Sequence, residues 1–319
     1  MAARFLRAAF FFPKKPYLYL VVAFGKMRVA VHICFLLLPV SLLVALCSCG
    51  DPLTEPRREL QADTPGRWLE LPATDTPGMV FIHHPMPEDR RLRNYSYCYD
   101  PRARVAVWVA YPLNKGLRGS GSRPDPEPWG LDPKVPADAQ AVVLYHGFSK
   151  NKIYDRGHQI PSADRYAYGA NIETYYGTNI TPQLHDFNGG IWATLEGKVR
   201  NWAGKCDTLY VVTGADLRGA SGKVKDNEGK DVTVPTGYFK ALLAYKKGGS
   251  FGAGTGEYIG VGFYFEHRTY ENTQATVKAR AMSLEALEEI LGMDFFVNLP
   301  VDIQRVVESQ SPVAWWWNN

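Results

Sequence analysis

An acid, a base, a glycine and an imidazole stand in consecutive positions in the segment YDRGHQIPSADR, as Asp155, Arg156, Gly157 and His158. An imidazole with its ordinary pKa of about 6.5 is half-neutral close to working pH, so it can accept a proton from water. The guanidinium of an arginine binds phosphate oxygens with two parallel hydrogen bonds. A charged cluster with one histidine is, on its own, most often solvated surface.

A second polar set, Asn188, Glu196 and Arg200, follows about thirty residues later. Multiples of four separate its members, so on a helix they lie along one side with slow drift. Each has an ordinary explanation when taken singly. Asn188 sits in a favourable N-cap position, and Glu196 with Arg200 forms an i,i+4 pair that contributes roughly a few tenths of a kcal/mol. The combination with His158 shifts the balance towards catalysis.

The secondary-structure elements predicted around these residues indicate a mixed α+β domain with a largely antiparallel sheet. Apolar residues alternate in residues 104–113, which predicts a strand, and short apolar runs predict further strands. Helical spacing over residues 187–204 and Ser283 as the cap of residues 284–293 predict two helices. The other predicted strands are residues 141–146, 207–215 and 236–247.

The front of the chain does not belong to this domain. A basic flank, an apolar run and the sequence Leu46-Cys47-Ser48-Cys49 are typical of a lipoprotein signal over residues 27–49, with Cys49 as the lipidated residue. The alternative is a transmembrane anchor, but Pro39 interrupts the run. Residues 1–26 are then an artefact of start-site choice. Residues 50–77 are rich in proline and polar residues and predict a flexible tether, and residues 78–319 form the domain.

Composition sets broad limits. The 319 residues are 46% hydrophobic and 21% charged, which suits one large domain with an appendage. A net charge of +4 permits a polyanionic partner without arguing for one. No cysteine pair has zinc-ligand spacing. Only Cys98 and Cys206 remain for the folded body, either as a disulfide or as two buried thiols, and the bridge is the preferred prediction.

Other chemistries fit the chain less well. The stretch GGSFG, residues 248–252, matches the G-x-S-x-G elbow of serine hydrolases around Ser250. His267 follows too soon for the usual order of acid and histidine, so a hairpin loop is the better interpretation. The chain has no P-loop and no clean dinucleotide fingerprint.

Four segments together resemble the DNA/RNA non-specific endonuclease family, whose members are ββα-metal (His-Me finger) nucleases. The segments are DRGHQIPSADR, TNITPQLHDFNGGIWATLEGKVR, YVVTGA and VPTGYFKALL. The resemblance runs from about Tyr95 to the C-terminus in the order that the family uses. A D-R-G-H tetrad followed by N-x-x-x-W-x-x-x-E is its most specific part. The fold it implies is the ββα-metal fold, with a central antiparallel sheet flanked by helices.

The resemblance also implies roles. His158 is the general base, Asn188 is the sole direct protein ligand of a Mg²⁺ ion, for which Mn²⁺ can substitute, and Glu196 holds metal-bound water. Arg200 contacts phosphate, and Arg156 belongs to the tetrad that carries the base. Two further residues are assigned to the site by the same resemblance. They are Asn179, and Arg123 from a loop that is longer and richer in proline here.

The sequence therefore predicts an exported Mg²⁺-dependent endonuclease that cleaves DNA and/or RNA without sequence preference. Its lipid anchor at Cys49 would attach it to the bacterial cell envelope. Dimers are common in the family that it resembles, and the sequence leaves both a monomer and a homodimer open. The predicted groups address the phosphate backbone rather than base edges, which implies weak sequence specificity. The alternative is a catalytically silent, surface-anchored binding protein of the same fold. The intact pair of base and metal ligand disfavours it.

Overall fold

The computed structural model describes residues 68–73, 77–148, 153–252 and 255–318. The predicted signal segment with Cys49, and the tether as far as residue 67, lie outside the described residues. Within the described ranges, no helix is both long enough and apolar enough to cross a membrane.

A seven-stranded antiparallel sheet forms the centre of the molecule. In their spatial order, its strands are β1 (Val80–Pro85), β2 (Arg93–Asp100), β3 (Val105–Leu113), β6 (Thr208–Asp216), β9 (Gly237–Tyr245), β10 (Tyr258–Glu266) and β11 (Ala281–Met282). The prediction of an α+β fold with a largely antiparallel sheet is confirmed. Three of the predicted strands, β3, β6 and β9, are present and adjacent.

Both faces of this sheet are covered, which explains why strands such as β6 and β9 carry apolar residues on both faces. In β9, Leu242 and Ala244 belong to one hydrophobic cluster, whereas Phe239, Ala241 and Leu243 belong to the other. The first face carries α2 (Ala193–Ala203), which buries Leu195, Val199 and Trp202 against it. The second carries α4 (Leu284–Leu291) and α5 (Val301–Ser309).

A hairpin of β4 (Tyr154–His158) and β5 (Ile180–Leu184) lies outside the main sheet and leads into α2. His158 pairs with Ile180 in this hairpin. The order strand, strand, helix is the ββα arrangement expected from the sequence. The smaller elements are α1 (Lys115–Arg118), β7 (Lys223–Lys225), β8 (Asp231–Thr233) and α3 (Gln274–Ala279).

Two local predictions at helix and loop ends are confirmed. The Ser283 hydroxyl accepts a hydrogen bond from the amide of Ala286 and caps α4. The glycine-rich stretch around Ser250 belongs to the connection between β9 and β10, and Ser250 itself is exposed. This is the hairpin loop that the sequence predicted in place of a hydrolase elbow.

The predicted strand at residues 141–146 is wrong. The backbone amide of Val142 donates to the Asp226 carboxylate at 2.9 Å, and that of Tyr145 donates to the Asn227 side chain at 2.9 Å. Side chains from the β7–β8 turn thus satisfy backbone groups that a strand would satisfy with another strand. The segment is apolar because it is partly buried, which gives no information about its conformation.

The predicted disulfide is also wrong, because Cys98 and Cys206 are free thiols. Cys98 packs in the cluster beneath α4, whereas Cys206 packs against the cluster beneath α2. The central sheet separates the two clusters, so the sulfur atoms face different layers.

The folded body begins ahead of the boundary predicted at residue 78. Trp68 is 1% exposed, and its ring lies 4.2 Å from that of His83. The carboxylate of Glu70, equally buried, accepts a hydrogen bond of 2.6 Å from Arg93. Residues 68–71 are therefore part of the domain rather than of the tether. The sequence missed this because one short apolar turn carries no periodicity.

Candidate active site

His158 is the last residue of β4 and is only 8% exposed. Its ring lies 5.4 Å from that of Trp129 and 5.1 Å, edge-on, from that of Tyr175. The Nε2 atom has no hydrogen-bond partner among the described residues. A buried ring nitrogen without a partner is uncommon in native proteins and is a ready acceptor for a proton from outside the chain.

Burial lowers the pKa of His158 to about 3, and the positive charges of Arg123 and Arg156 lower it further. The expectation of an imidazole that is half-neutral near working pH is therefore wrong for the protein without substrate. The ring is neutral throughout the physiological range and is always able to accept a proton. A bound phosphate would offset the two arginines and raise the basicity of the ring.

Gly157 allows the hairpin to place His158. A Cβ atom at this position would lie 2.3 Å from both Cγ and Cδ of Gln183, which is buried in the neighbouring strand. Real Cβ atoms do not approach carbon atoms this closely. The glycine of the tetrad is thus required by the contact between β4 and β5.

Asn188 does not cap a helix, contrary to the prediction. It lies inside the segment Phe187–Trp192, where the backbone leaves helical geometry at Gly190 and forms a kink, and α2 begins only after this kink. Because the break precedes α2, Asn188 does not share a continuous helix with Glu196.

One end of the Asn188 side chain is held in place. Its Nδ2 donates to the Asp155 Oδ2 over 3.0 Å, and Asp155 also meets His185 Nδ1 at 3.0 Å. The amide nitrogen is thereby occupied, and Oδ1 is the atom left to act as a ligand. A single amide oxygen suits Mg²⁺, which retains most of its water and uses roughly one or two protein ligands. The donor set therefore fits the metal that the sequence predicts.

Glu196 and Arg200 are not a solvated surface pair. Their side chains are 17% and 20% exposed, and Arg200 donates to the buried carboxylate of Asp164 at 3.2 Å. The Tyr111 hydroxyl donates to the other oxygen of Asp164 at 2.8 Å. This network fixes Arg200 and leaves the carboxylate of Glu196 4.0 Å from its guanidinium.

Burial raises the pKa of Glu196 to about 7, although Lys240 and Arg200 act in the opposite direction. The carboxylate is thus close to half-ionised at neutral pH. A carboxyl group with a pKa near neutrality, in a cluster of charges, is typical of a functional site.

The sequence did not single out Lys240, which is fully buried in the centre of β9. Its ammonium donates to the hydroxyl of Thr213 at 2.9 Å and lies 4.4 Å from the centre of the Trp192 ring. A lysine within the apolar run YFKALLAY was the available signal. Asp164 was also missed as a member of the site, and Asp155 was noted in the D-R-G-H tetrad without a role.

Asn179 lies behind His158 rather than beside a substrate. It is 1% exposed, and its amide accepts from the Ile160 backbone at 3.0 Å and donates to the carbonyls of Ile160 and Thr174. These contacts tie the chain that follows His158 to the start of β5. The structure therefore gives Asn179 a supporting place in the site.

Arg156 and Arg123 border an open cleft beside His158. The guanidinium of Arg156 lies 3.9 Å from the centre of the Trp129 ring and donates to the carbonyl of Val143. Arg123 forms an ion pair with Glu127, and its side chain is 55% exposed. The cleft has a volume of about 550 Å³. Its lining comprises Arg123, Pro124, Asp125, Pro126, Glu127, Trp129, Leu144, Tyr145 and Arg156.

The predicted site residues are connected in two ways, through the charges of the arginines and through the hydrogen bond of Asn188 to β4. The charges of Arg123 and Arg156 act on His158, and that of Arg123 also acts on Glu196 beside Arg200. Within the described chain, the side-chain hydrogen bond of Asn188 leads to Asp155 in β4 and not to His158 or Glu196. Strand β4 therefore contributes both His158 and Asp155, the hydrogen-bond partner of Asn188.

A family model described as "DNA/RNA non-specific endonuclease" matches residues 82–302, which is more than half of the chain. The matched span includes every candidate site residue named above.

Two curated relatives are both named Nuclease. The chain is 29% identical to the one from Serratia marcescens over 222 residues, which cover 69% of this chain and 79% of the relative. It is 32% identical to the one from Nostoc sp. (strain PCC 7120 / SAG 25.82 / UTEX 2576) over 220 residues, or 68% and 76% of the two chains. A solved structure titled "Crystal structure of the EndoG/EndoGI complex: Mechanism of EndoG inhibition" aligns with 23% identity and a TM-score of 0.46 over 65% of this chain and 84% of that chain.

Proposed function

Because this chain belongs to the DNA/RNA non-specific endonuclease family, whose members are metal-dependent nucleases, we propose that it hydrolyses phosphodiester bonds in DNA and RNA with His158 as general base and Mg²⁺ held by Asn188. The observation that carries the proposal is the unpartnered Nε2 of a buried, neutral His158 beside two arginines. Such a nitrogen can accept the proton of a water molecule as that water attacks phosphorus.

Charge on the phosphate is countered by the arginines. Arg123 is half-exposed at the cleft, and its planar fork can reach a phosphate oxygen. The guanidinium of Arg156 lies over the Trp129 ring and adds positive charge near His158. Arg200 is fixed by Asp164 and extends this positive charge along α2. A preorganised set of this kind stabilises charge that develops in the transition state.

Asn188 and Glu196 are the residues that would hold the metal and its water. When bound, Mg²⁺ supplies Lewis-acid stabilisation of the phosphate and of the departing 3′-oxygen. The Asp155 contact orients the Asn188 amide, and the Glu196 carboxylate, when ionised, accepts hydrogen bonds from ordered water. All of these groups address phosphate or water, so the substrate preference follows the backbone rather than the base sequence.

The proposal is tested with purified protein on supercoiled plasmid and on ribosomal RNA. We expect cleavage of both substrates in Mg²⁺, loss of cleavage in EDTA, and its return when Mg²⁺ or Mn²⁺ is added in excess. Cleavage that is unchanged by EDTA would exclude the metal. A protein that cleaves neither polymer in any divalent cation would be the silent binding protein considered above.

We further propose export with a lipid anchor at Cys49 and assembly as a homodimer. The supports are the apolar run and cysteine of residues 27–49 and the family resemblance. Labelled palmitate should enter the wild type and not Cys49→Ala, and mass photometry should report twice the mass of one chain. Equal labelling of both proteins, or a monomer mass, would refute the respective part.

A further inference from the structure

Lys240 places a positive charge inside the protein where the proposed mechanism has no use for one. Its side chain is fully buried, and it pairs across the sheet with Thr213. Its ammonium donates to the Thr213 hydroxyl and lies over the face of Trp192, and neither group carries a negative charge. Since a buried ion without compensating charge is strongly destabilising, the compensation must come from carboxylates nearby.

Two carboxylates fill this role. Trp192, which covers the ammonium, is four residues before Glu196, so the two side chains lie on the same side of the chain entering α2. Asp164 reaches the same region through Arg200. Burial lowers the pKa of Lys240 to about 8, and the positive charge of Arg200 lowers it further, whereas the charges of Glu196 and Asp164 act in the opposite direction and favour the protonated form.

The charges that act on Glu196 come from four different parts of the chain. They are Lys240 from β9, Arg200 from its own helix, Asp164 from the turn after β4, and Arg123 from the long loop. Lys240 acts most strongly among them. The buried carboxylate of Asp164 and the half-buried carboxylate of Glu196 balance the charges of Lys240 and Arg200 when Glu196 is ionised.

We propose that Lys240 is a positioning residue of the nuclease site, whose buried ammonium, held between Thr213 and Trp192, keeps Glu196 as the anion that orders water around the metal. This inference rests on the proposed function and deepens it. Lys240 touches neither substrate nor metal and acts only through Glu196. The competing explanation is that Lys240 merely fills space under Trp192. In that case an apolar side chain of similar length would serve equally well.

The experiment uses Lys240→Met, which removes the charge and keeps the length, together with Glu196→Gln and the double variant. We expect Lys240→Met to move the acidic limb of kcat to higher pH while KM for DNA stays unchanged. A shift of one pKa unit lowers kcat about tenfold below the limb. In the Glu196→Gln background the same substitution should change kcat less than about twofold, because the residue it acts through is absent. The inference would be overturned if Lys240→Met had the pH profile of the wild type. It would also be overturned if the loss of kcat in the double variant equalled the product of the losses in the two single variants.

Thr213→Val is the matched control, since it removes the hydroxyl contact of the ammonium and keeps the charge. Its pH profile should follow the wild type. A shift as large as that of Lys240→Met would mean that packing, and not charge, sets the profile.

A second measurement needs neither metal nor activity. In metal-free protein labelled with ¹³C at the glutamate carboxyl carbons, Glu196 is identified as the signal missing from Glu196→Gln. Its titration should move to higher pH in Lys240→Met. Should Lys240→Met fail to fold, the reciprocal titration of the Lys240 ¹³Cε signal in Glu196→Gln should move to lower pH. Unchanged titrations would overturn the inference. A coupled titration in a protein without nuclease activity would instead refute the proposed function alone.

Discussion

The side-chain amide of Asn188 donates to the Asp155 carboxylate over 3.0 Å, which joins the turn before α2 to strand β4. The contact decides which end of the amide is occupied. Nδ2 is bound to Asp155, so Oδ1 is the atom that can meet a cation. A residue of the hairpin thereby orients a residue of the following turn, as outer partners of metal ligands commonly do.

Asp155→Ala should therefore weaken metal use. We expect the Mg²⁺ concentration for half-maximal cleavage to rise about 10–100-fold, the usual effect of removing a group that orients a ligand. The measurement is the Mg²⁺ dependence of plasmid nicking. His185→Ala is the control, because His185 is 70% exposed and contacts the same Asp155 carboxylate, and its removal leaves the hydrogen bond between Asp155 and Asn188 in place. Equal Mg²⁺ requirements in wild type and Asp155→Ala would show that the contact is incidental.

Activity should rise with pH through about 7. The pKa of Glu196 is raised to about 7, so the anion that orders water is lost as the pH falls through this value. Burial and the neighbouring arginines lower the pKa of His158 to about 3 in the protein without substrate, so we assign the acidic side of the profile to Glu196 and test that assignment with Glu196→Gln. We expect kcat of the wild type to fall below pH 7 and that of Glu196→Gln to be low and flat. A limb that persists in Glu196→Gln would assign the titration to another group.

The buried pair of His84 and Asp132 should dominate the pH dependence of stability. Nε2 of His84 lies 2.9 Å from the Asp132 carboxylate, which also accepts from Tyr97 and Thr178. Burial disfavours the charged forms, but the mutual hydrogen bonds outweigh it, raising the pKa of His84 and lowering that of Asp132. Asp132→Ala leaves these groups without their partner and should lower the free energy of unfolding by about 3–5 kcal/mol.

The sign of this dependence follows from the two shifts. The histidine contribution is complete below its unfolded pKa of about 6.5 and is lost as the pH rises through the folded value. The aspartate contribution is complete above about 3.9 and is lost as the pH falls through its folded value. Urea unfolding should show the largest difference between wild type and Asp132→Ala between these limits. A difference that is constant from pH 3 to 9 would contradict the assignment.

Gly157→Ala should disturb the hairpin that carries His158. The new Cβ would meet Gln183 at 2.3 Å, which forces the strands apart and should cost about 1–3 kcal/mol of stability. Because His158 is the next residue, cleavage should fall as well. Gly256→Ala is the control, since a Cβ there has open space. Chemical denaturation with parallel nicking assays measures both effects, and identical behaviour of the two variants would show that Gln183 gives way.

Strands β3, β6 and β9 and helix α4 were predictable because each shows a local hydrophobic or capping pattern. Period-two alternation marked β3, and a serine before an apolar helix marked α4. The errors share a physical cause. The amides at Val142 and Tyr145 are satisfied by side chains distant in sequence, and the separation of Cys98 from Cys206 depends on which face of the sheet each residue meets. A local sequence pattern does not determine either of these long-range relationships.

The positions of the candidate site residues His158, Asn188 and Glu196 were predictable from motif spacing and from the family resemblance. Their burial, hydrogen bonds and pKa values were not. The depressed pKa of His158 arises from burial together with the charges of the neighbouring arginines. Lys240 escaped notice because a lysine in an apolar strand can lie at an edge, and only the completed sheet shows that it is central.

The central claim is that His158 takes the proton from the attacking water. The most direct measurement is the rate of nicking of supercoiled plasmid in Mg²⁺ by wild type and by His158→Ala. Circular dichroism and Mg²⁺ binding serve to show that the variant keeps its fold and its metal. The account predicts a rate about 10²–10⁴-fold lower for His158→Ala, with both other properties retained. Equal rates for the two proteins would contradict it.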